Sequence, residues 1–120
     1  MPGVELSTGA WDGHVVVALR GELDVTGAAD VEAAITALVA RGRYLVIDMS
    51  ALEFIDCGSL GALLRARTLA RRGGGDVVLA APRPHTRRLL ILTGQDEVFW
   101  VQASVAAAVA GLASCRQEYA

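Results

Sequence analysis

Three short, continuous apolar runs constrain this chain most: "VVVAL" at 15–19, "YLVID" at 44–48 and "VVLAA" at 77–81. Each is the length of a strand and has no polar alternation, so each reads as a strand covered on both faces, as in parallel sheets flanked by helices. Gly21 is read as the end of the first strand. The segments between the runs have helical spacing. From Thr26, read as an N-cap, Val31, Ala34, Ile35, Leu38 and Val39 recur at i, i+3, i+4, i+7 and i+8 towards a stop near Gly42. After "MSALEF", read as a connection, Asp56 is the expected N-cap of a second helix with Leu60, Leu63 and Leu64 inside and Gly61, Arg65, Thr68 and Arg72 outside. The glycines of "RRGGGD" end it. Pro84 and Gly94 bound a short third helix, "VFWV" at 98–101 is a last strand, and Ser104 caps a final helix faced by Val105, Val109 and Leu112, with fraying expected beyond Ala113. "VELSTG" adds a possible edge strand. The expected fold is α/β: one domain over 1–120 with a core from about 12 to 112, and a mostly parallel central sheet of four to five strands with helices packed against it.

Composition narrows the function. The chain is 53% hydrophobic but only 5% aromatic, so the core is built from Ala, Val, Leu and Ile. A net charge of −2, with all eleven cations arginine, gives no basic field for nucleic acid. No run approaches the roughly 18 apolar residues of a membrane span, and the N-terminus has acids where a signal peptide needs a basic then apolar stretch. A cytoplasmic protein is expected. Cys57 and Cys115 are too few for a disulfide framework or a zinc site. Reduced thiols, no metal and no cofactor are expected.

The stretch "FIDCGSLGALL" at 54–64 concentrates an acid, a thiol and a hydroxyl at one helix start. Enzymatic readings fail on their parts. A phosphate loop and a phospho-receiver site both need a lysine that the chain lacks, and a cysteine phosphatase needs an arginine nearer to Cys57 than Arg65. Nucleophilic serine chemistry needs a base, and His14 and His85, at a strand start and in a helix first turn, are read as surface residues. What remains is Asp56 accepting from a backbone N–H near Ser59, and a first-turn serine where the helix dipole tolerates a phosphate. Cys57 is read as a packing residue or a redox site, and Asp24 as a turn cap or a partner contact.

At this point three segments, "VVVALRGELDVTGAADV", "YLVIDMSALEFIDCGSLGALL" and "RRLLILTGQDEVFWV", resemble the STAS domain of bacterial anti-sigma-factor antagonists, in order and at family spacing over residues 12–112. The resemblance implies a switch protein, not an enzyme. Unphosphorylated, it binds an anti-sigma factor of the serine-kinase type and frees a sigma factor; phosphorylation of a motif serine breaks the complex and a phosphatase restores it. The family's G-E-L-D motif falls on Gly21, Glu22, Leu23 and Asp24, and its D-S-S-G-L motif on Asp56, Cys57, Gly58, Ser59 and Leu60. The expected partner surface is therefore Glu22, Asp24 and Thr26 with Asp56, Cys57, Gly58, Ser59, Gly61 and Ala62. The family's phosphorylated serine falls on Gly58, and Ser59 takes the family's glycine place. Three outcomes are open: Ser59 as a displaced phosphoacceptor, partner binding without phosphorylation control, or control through Cys57. The alternative function is a STAS module sensing a nucleotide, a small anion or redox state. Monomer and dimer are both open.

Overall fold

A computed structural model describes residues 3–39 and 43–119, with side chains as far as Ser114. Five strands, β1 (Val4–Trp11), β2 (His14–Leu23), β3 (Tyr44–Ile55), β4 (Asp76–Ala80) and β5 (Trp100–Gln102), form one sheet in sequential order. β1 pairs antiparallel to β2 as the edge strand, and the remaining pairs are parallel. Each parallel pair is joined through a helix: α1 (Val25–Val39), α2 (Cys57–Arg72) and α3 (Pro84–Leu92). A last helix, α4 (Val105–Tyr119), follows β5.

The three apolar runs are the centre of this sheet. Leu45, Ile47, Leu79 and Val77 turn one way into a core shared with Val31 and Ile35 of α1, Leu60 and Leu63 of α2 and Leu90 of α3. Val46, Val78 and Ala80 turn the other way, onto Ala108, Val109 and Leu112 of α4. Both faces are covered, which explains runs without polar alternation. α4 sits tightly, because a Cβ on Gly111 would lie 2.6 Å from the Trp100 ring.

Several boundaries differ from the sequence reading, each for a local reason. Gly21 does not end β2. With φ at 92° it carries the strand through a conformation open to glycine, and the Glu22 N–H donates to Gly3 O at 2.9 Å. "MSALEF" is strand, not connection: β3 takes two extra residues against β2, between the pairs Ala18/Asp48 and Arg20/Ala51 and between Gly21/Leu52 and Glu22/Phe54. These bulges break the two-residue alternation that marks a strand in sequence, so the buried positions become Leu52 and Ile55. Thr26 lies inside the first turn of α1 instead of capping it. Gly94, in the left-handed region at φ 72°, follows Thr93, which is the C-cap of α3. β5 begins at Trp100, two residues later than expected, and α4 continues past Ala113 to Tyr119. The expected stop of α1 near Gly42 lies outside the described residues, as does the Cys115 side chain.

Candidate functional site

The carboxyl ends of the parallel strands β2 and β3 bring the two sequence motifs together. The Asp56 N–H donates to Leu23 O at 3.3 Å, tying the start of α2 to the end of β2 across 33 residues of chain. Ligand and partner sites gather at this edge of parallel sheets, where loops and helix N-termini face outward.

Two carboxylates order the two helix starts. Asp24 Oδ1 accepts from the Thr26 hydroxyl at 2.6 Å and from the Thr26 N–H at 3.0 Å. The hydroxyl, then the N–H, stabilise the ionised form and hold the Asp24 carboxyl below its ordinary value. Asp56 has extended backbone and accepts from the Ser59 N–H at 2.8 Å, the N-cap expected from sequence. Behind the rim, Arg65 donates from Nε and Nη2 to Glu32 Oε1 at 3.0 and 2.8 Å, joining α2 to α1. That pairing lowers the Glu32 carboxyl and raises the Arg65 guanidinium.

The accessible part of the expected partner surface is Thr26, Cys57 and Gly58, with Glu22, Asp24, Asp56 and Gly61 half-buried. Gly61 is flanked by the Arg65 side chain, whose Nη1 would lie 3.6 Å from an added Cβ. Two expected members are turned inward. Ala62 is buried, and Ser59 is 0% exposed with its hydroxyl lacking a partner among the described residues. Ser59 is thus not presented to a kinase in this conformation. Ser59 lies on the covered arc of α2: Ser59, Ala62, Leu63, Ala66 and Ala70 recur at helical intervals, and all five are buried. That series extends the leucine stripe and was present in the sequence.

Two residues on the rim escaped sequence reasoning, and a third, His85, is exposed as read but has a rim contact that the sequence did not indicate. Val25 is 81% exposed between Asp24 and Thr26, and Phe54 is exposed two residues before Asp56. His85 of α3 stacks on Phe54, with ring centroids 5.1 Å apart and an interplanar angle of 24°. Strand parity cannot place Phe54, because the bulge in β3 resets it. His14, read as a surface residue, is buried, with Nδ1 3.2 Å from Asp12 O and no partner for Nε2 among the described residues.

Among the described residues no group of three or more His, Cys, Asp or Glu could hold a metal, and no helix is long and apolar enough to cross a membrane. The arrangement offers two ordered carboxylates, an exposed thiol and a small apolar rim. Such a surface suits docking.

Comparison with known proteins agrees with the geometry. A STAS domain is matched over residues 7–108, and the chain belongs to the STAS-domain family. It is 35% identical over 103 residues to the anti-sigma-F factor antagonist RsfB of Mycobacterium tuberculosis, covering 84% of this chain and 83% of RsfB. Among solved structures it is similar to an anti-sigma factor antagonist from Mycobacterium paratuberculosis, with a TM-score of 0.82 and 33% identity over 91% of this chain and 93% of the other. The fold is shared with the unphosphorylated form of the antagonist SpoIIAA, at a TM-score of 0.72 and 24% identity over 93% and 97% of the two chains.

Proposed function

We propose that this chain is an anti-sigma-factor antagonist, binding an anti-sigma factor of the serine-kinase type through the joined starts of α1 and α2 and so releasing a sigma factor for transcription. The observation that carries the reading is the Asp56 N–H to Leu23 O hydrogen bond, which makes one continuous surface of two motifs distant in sequence. The antagonist relatives, a third identical over four-fifths or more of the chain, support the partner class.

We further propose that the complex forms and dissociates without a phosphate on Ser59. A kinase would need that hydroxyl in its active site, and burial behind the first turn of α2 withholds it. No phosphatase is then needed to reset the protein. Cys57 is the second candidate for control, since its thiol is free and exposed at the centre of the surface. Alkylation there would place a new group in the interface.

The test is calorimetric titration with the cognate anti-sigma factor, followed by intact-mass analysis after incubation with ATP. Tight binding that is weakened at least about tenfold by Cys57→Arg, with no phosphate gained, is the expected result. A phosphate gained by the wild type and lost in Ser59→Ala would restore Ser59 as the acceptor. Thermal stabilisation by nucleotide or inorganic phosphate, without binding to any anti-sigma factor, would favour the ligand-sensing alternative.

A further inference from the structure

The outward face of α3 is apolar and basic, and it begins at the rim of the proposed docking surface. Thr86 and Leu90 are buried and Leu89 is half-buried. Arg87, Arg88, Ile91 and Leu92 remain, and with Pro82 and Pro84 they line a shallow groove. Ile91 is 58% and Leu92 76% exposed, large values for neighbouring aliphatic side chains. His85, Arg88 and Leu92 follow one another at spacings of a single helix face, and His85 is the residue stacked on Phe54. A partner seated over residues 56–58 is therefore led along α3.

Charge selects the occupant. Residues 77–95 contain Arg83, Arg87 and Arg88 and no acid, whereas the rest of the chain sets eight arginines against all thirteen acids. Among the described residues the ion pairs are made by Arg65, Arg67 and Arg71, so the α3 arginines face solvent without a carboxylate. A second copy bound symmetrically would set these arginines against their own counterparts, and two aliphatic side chains are few for a membrane anchor.

We propose that the Arg87, Arg88, Ile91 and Leu92 face of α3 is a second docking strip that takes an acidic, amphipathic segment of the partner protein. This rests on the antagonist reading above, with the segment belonging to the same anti-sigma factor. The arginines steer it in and the aliphatic pair holds it.

The test compares variants by surface plasmon resonance against the anti-sigma factor that the wild type binds, with folding checked by thermal melts. Arg87→Glu with Arg88→Glu should lower the association rate about tenfold at low salt and flatten its salt dependence, whereas Arg72→Glu with Arg43→Glu, the same change in charge placed away from α3, should change it little. Ile91→Ser with Leu92→Ser should raise the dissociation rate about tenfold. Wild-type rates in the α3 variants, while Cys57→Arg destroys binding, would overturn the strip and leave the antagonist reading standing. Equal losses for the Arg72 and α3 variants would reduce the effect to net charge and overturn it as well. So would a dimer in ultracentrifugation, or sedimentation with phosphatidylglycerol vesicles, that Leu92→Ser abolishes. Failure of the wild type to bind any anti-sigma factor would remove both proposals.

Discussion

Asp56 and Ser59 are linked in one direction only: the Ser59 N–H donates to Asp56 Oδ1 at 2.8 Å, while the Ser59 hydroxyl is buried without a partner among the described residues. The cap orders the exposed turn and also fixes the first turn in a rotation that hides the serine. Asp56→Ala should cost about 1 kcal/mol, within the roughly 0.5–2 kcal/mol of lost N-caps. Urea denaturation with an unchanged slope checks it. Ser59→Ala removes an unpaired buried hydroxyl and should be neutral or stabilising by up to about 1 kcal/mol. A clear loss of stability would mean that the hydroxyl has a partner.

Gly58 is the exposed position of the same turn, and an added Cβ would meet nothing nearer than Asp56 Oδ1 at 3.8 Å. Gly58→Ser should therefore fold normally and present a hydroxyl to the partner, where the helix N-terminus accommodates a phosphate. Incubation of this variant with a kinase-type anti-sigma factor and ATP should add one phosphate and weaken the complex, while the wild type gains none. Mass spectrometry and gel filtration read both effects. An unmodified variant would show that exposure at this position is insufficient.

Gly111 is held against the Trp100 ring, with 2.6 Å between an added Cβ and the nearest ring atom. Gly111→Ala improves helix propensity yet forces α4 away from β5, and the clash should win by about 1–3 kcal/mol. A lower melting temperature with unchanged partner affinity is expected, because α4 lies on the sheet face opposite α1 and α2. Trp100→Phe in the same chain should recover part of the loss.

Asp24 supplies a pH dependence. Its carboxyl lies below the ordinary value because Thr26 donates to it, so it favours the folded turn only where it is ionised. The contribution is complete above the ordinary carboxylate pKa and is lost as pH falls through the lower folded value. The amide signals of residues 24–28 should therefore stay constant from pH 7 to about pH 5 and shift only at more acid pH, in an NMR titration. Asp24→Asn should abolish that step. A step that persists in Asp24→Asn would mean that another group orders this turn.

Most of the elements were legible because they depend on neighbours in sequence. The apolar runs, the stripe from Val31 to Val39, the Asp56 cap and the glycines after Arg72 act within a turn or two of chain. The misplaced caps at Thr26 and Gly94 are shifts of one or two residues within a turn, whereas the larger errors require knowledge of another strand or helix. The bulges that extend β3 exist only relative to β2. Val25 at the start of α1 and Phe54 near the end of β3 are exposed, and His14 at the start of β2 is buried, according to where the assembled elements place them.

The candidate site divides in the same way. By itself the sequence determined a doubly covered parallel sheet, a capped helix start bearing Asp56, Cys57 and Ser59, and a likeness to one family of regulators. Only the tertiary structure decided that Asp24 and Asp56 border one surface, that Cys57 and Gly58 face solvent there, and that Ser59 does not. Periodicity fixes the positions of side chains around their own helix. Which arc is covered depends on the sheet against which Leu60 and Leu63 pack, and that contact forms only when strands distant in sequence are brought side by side.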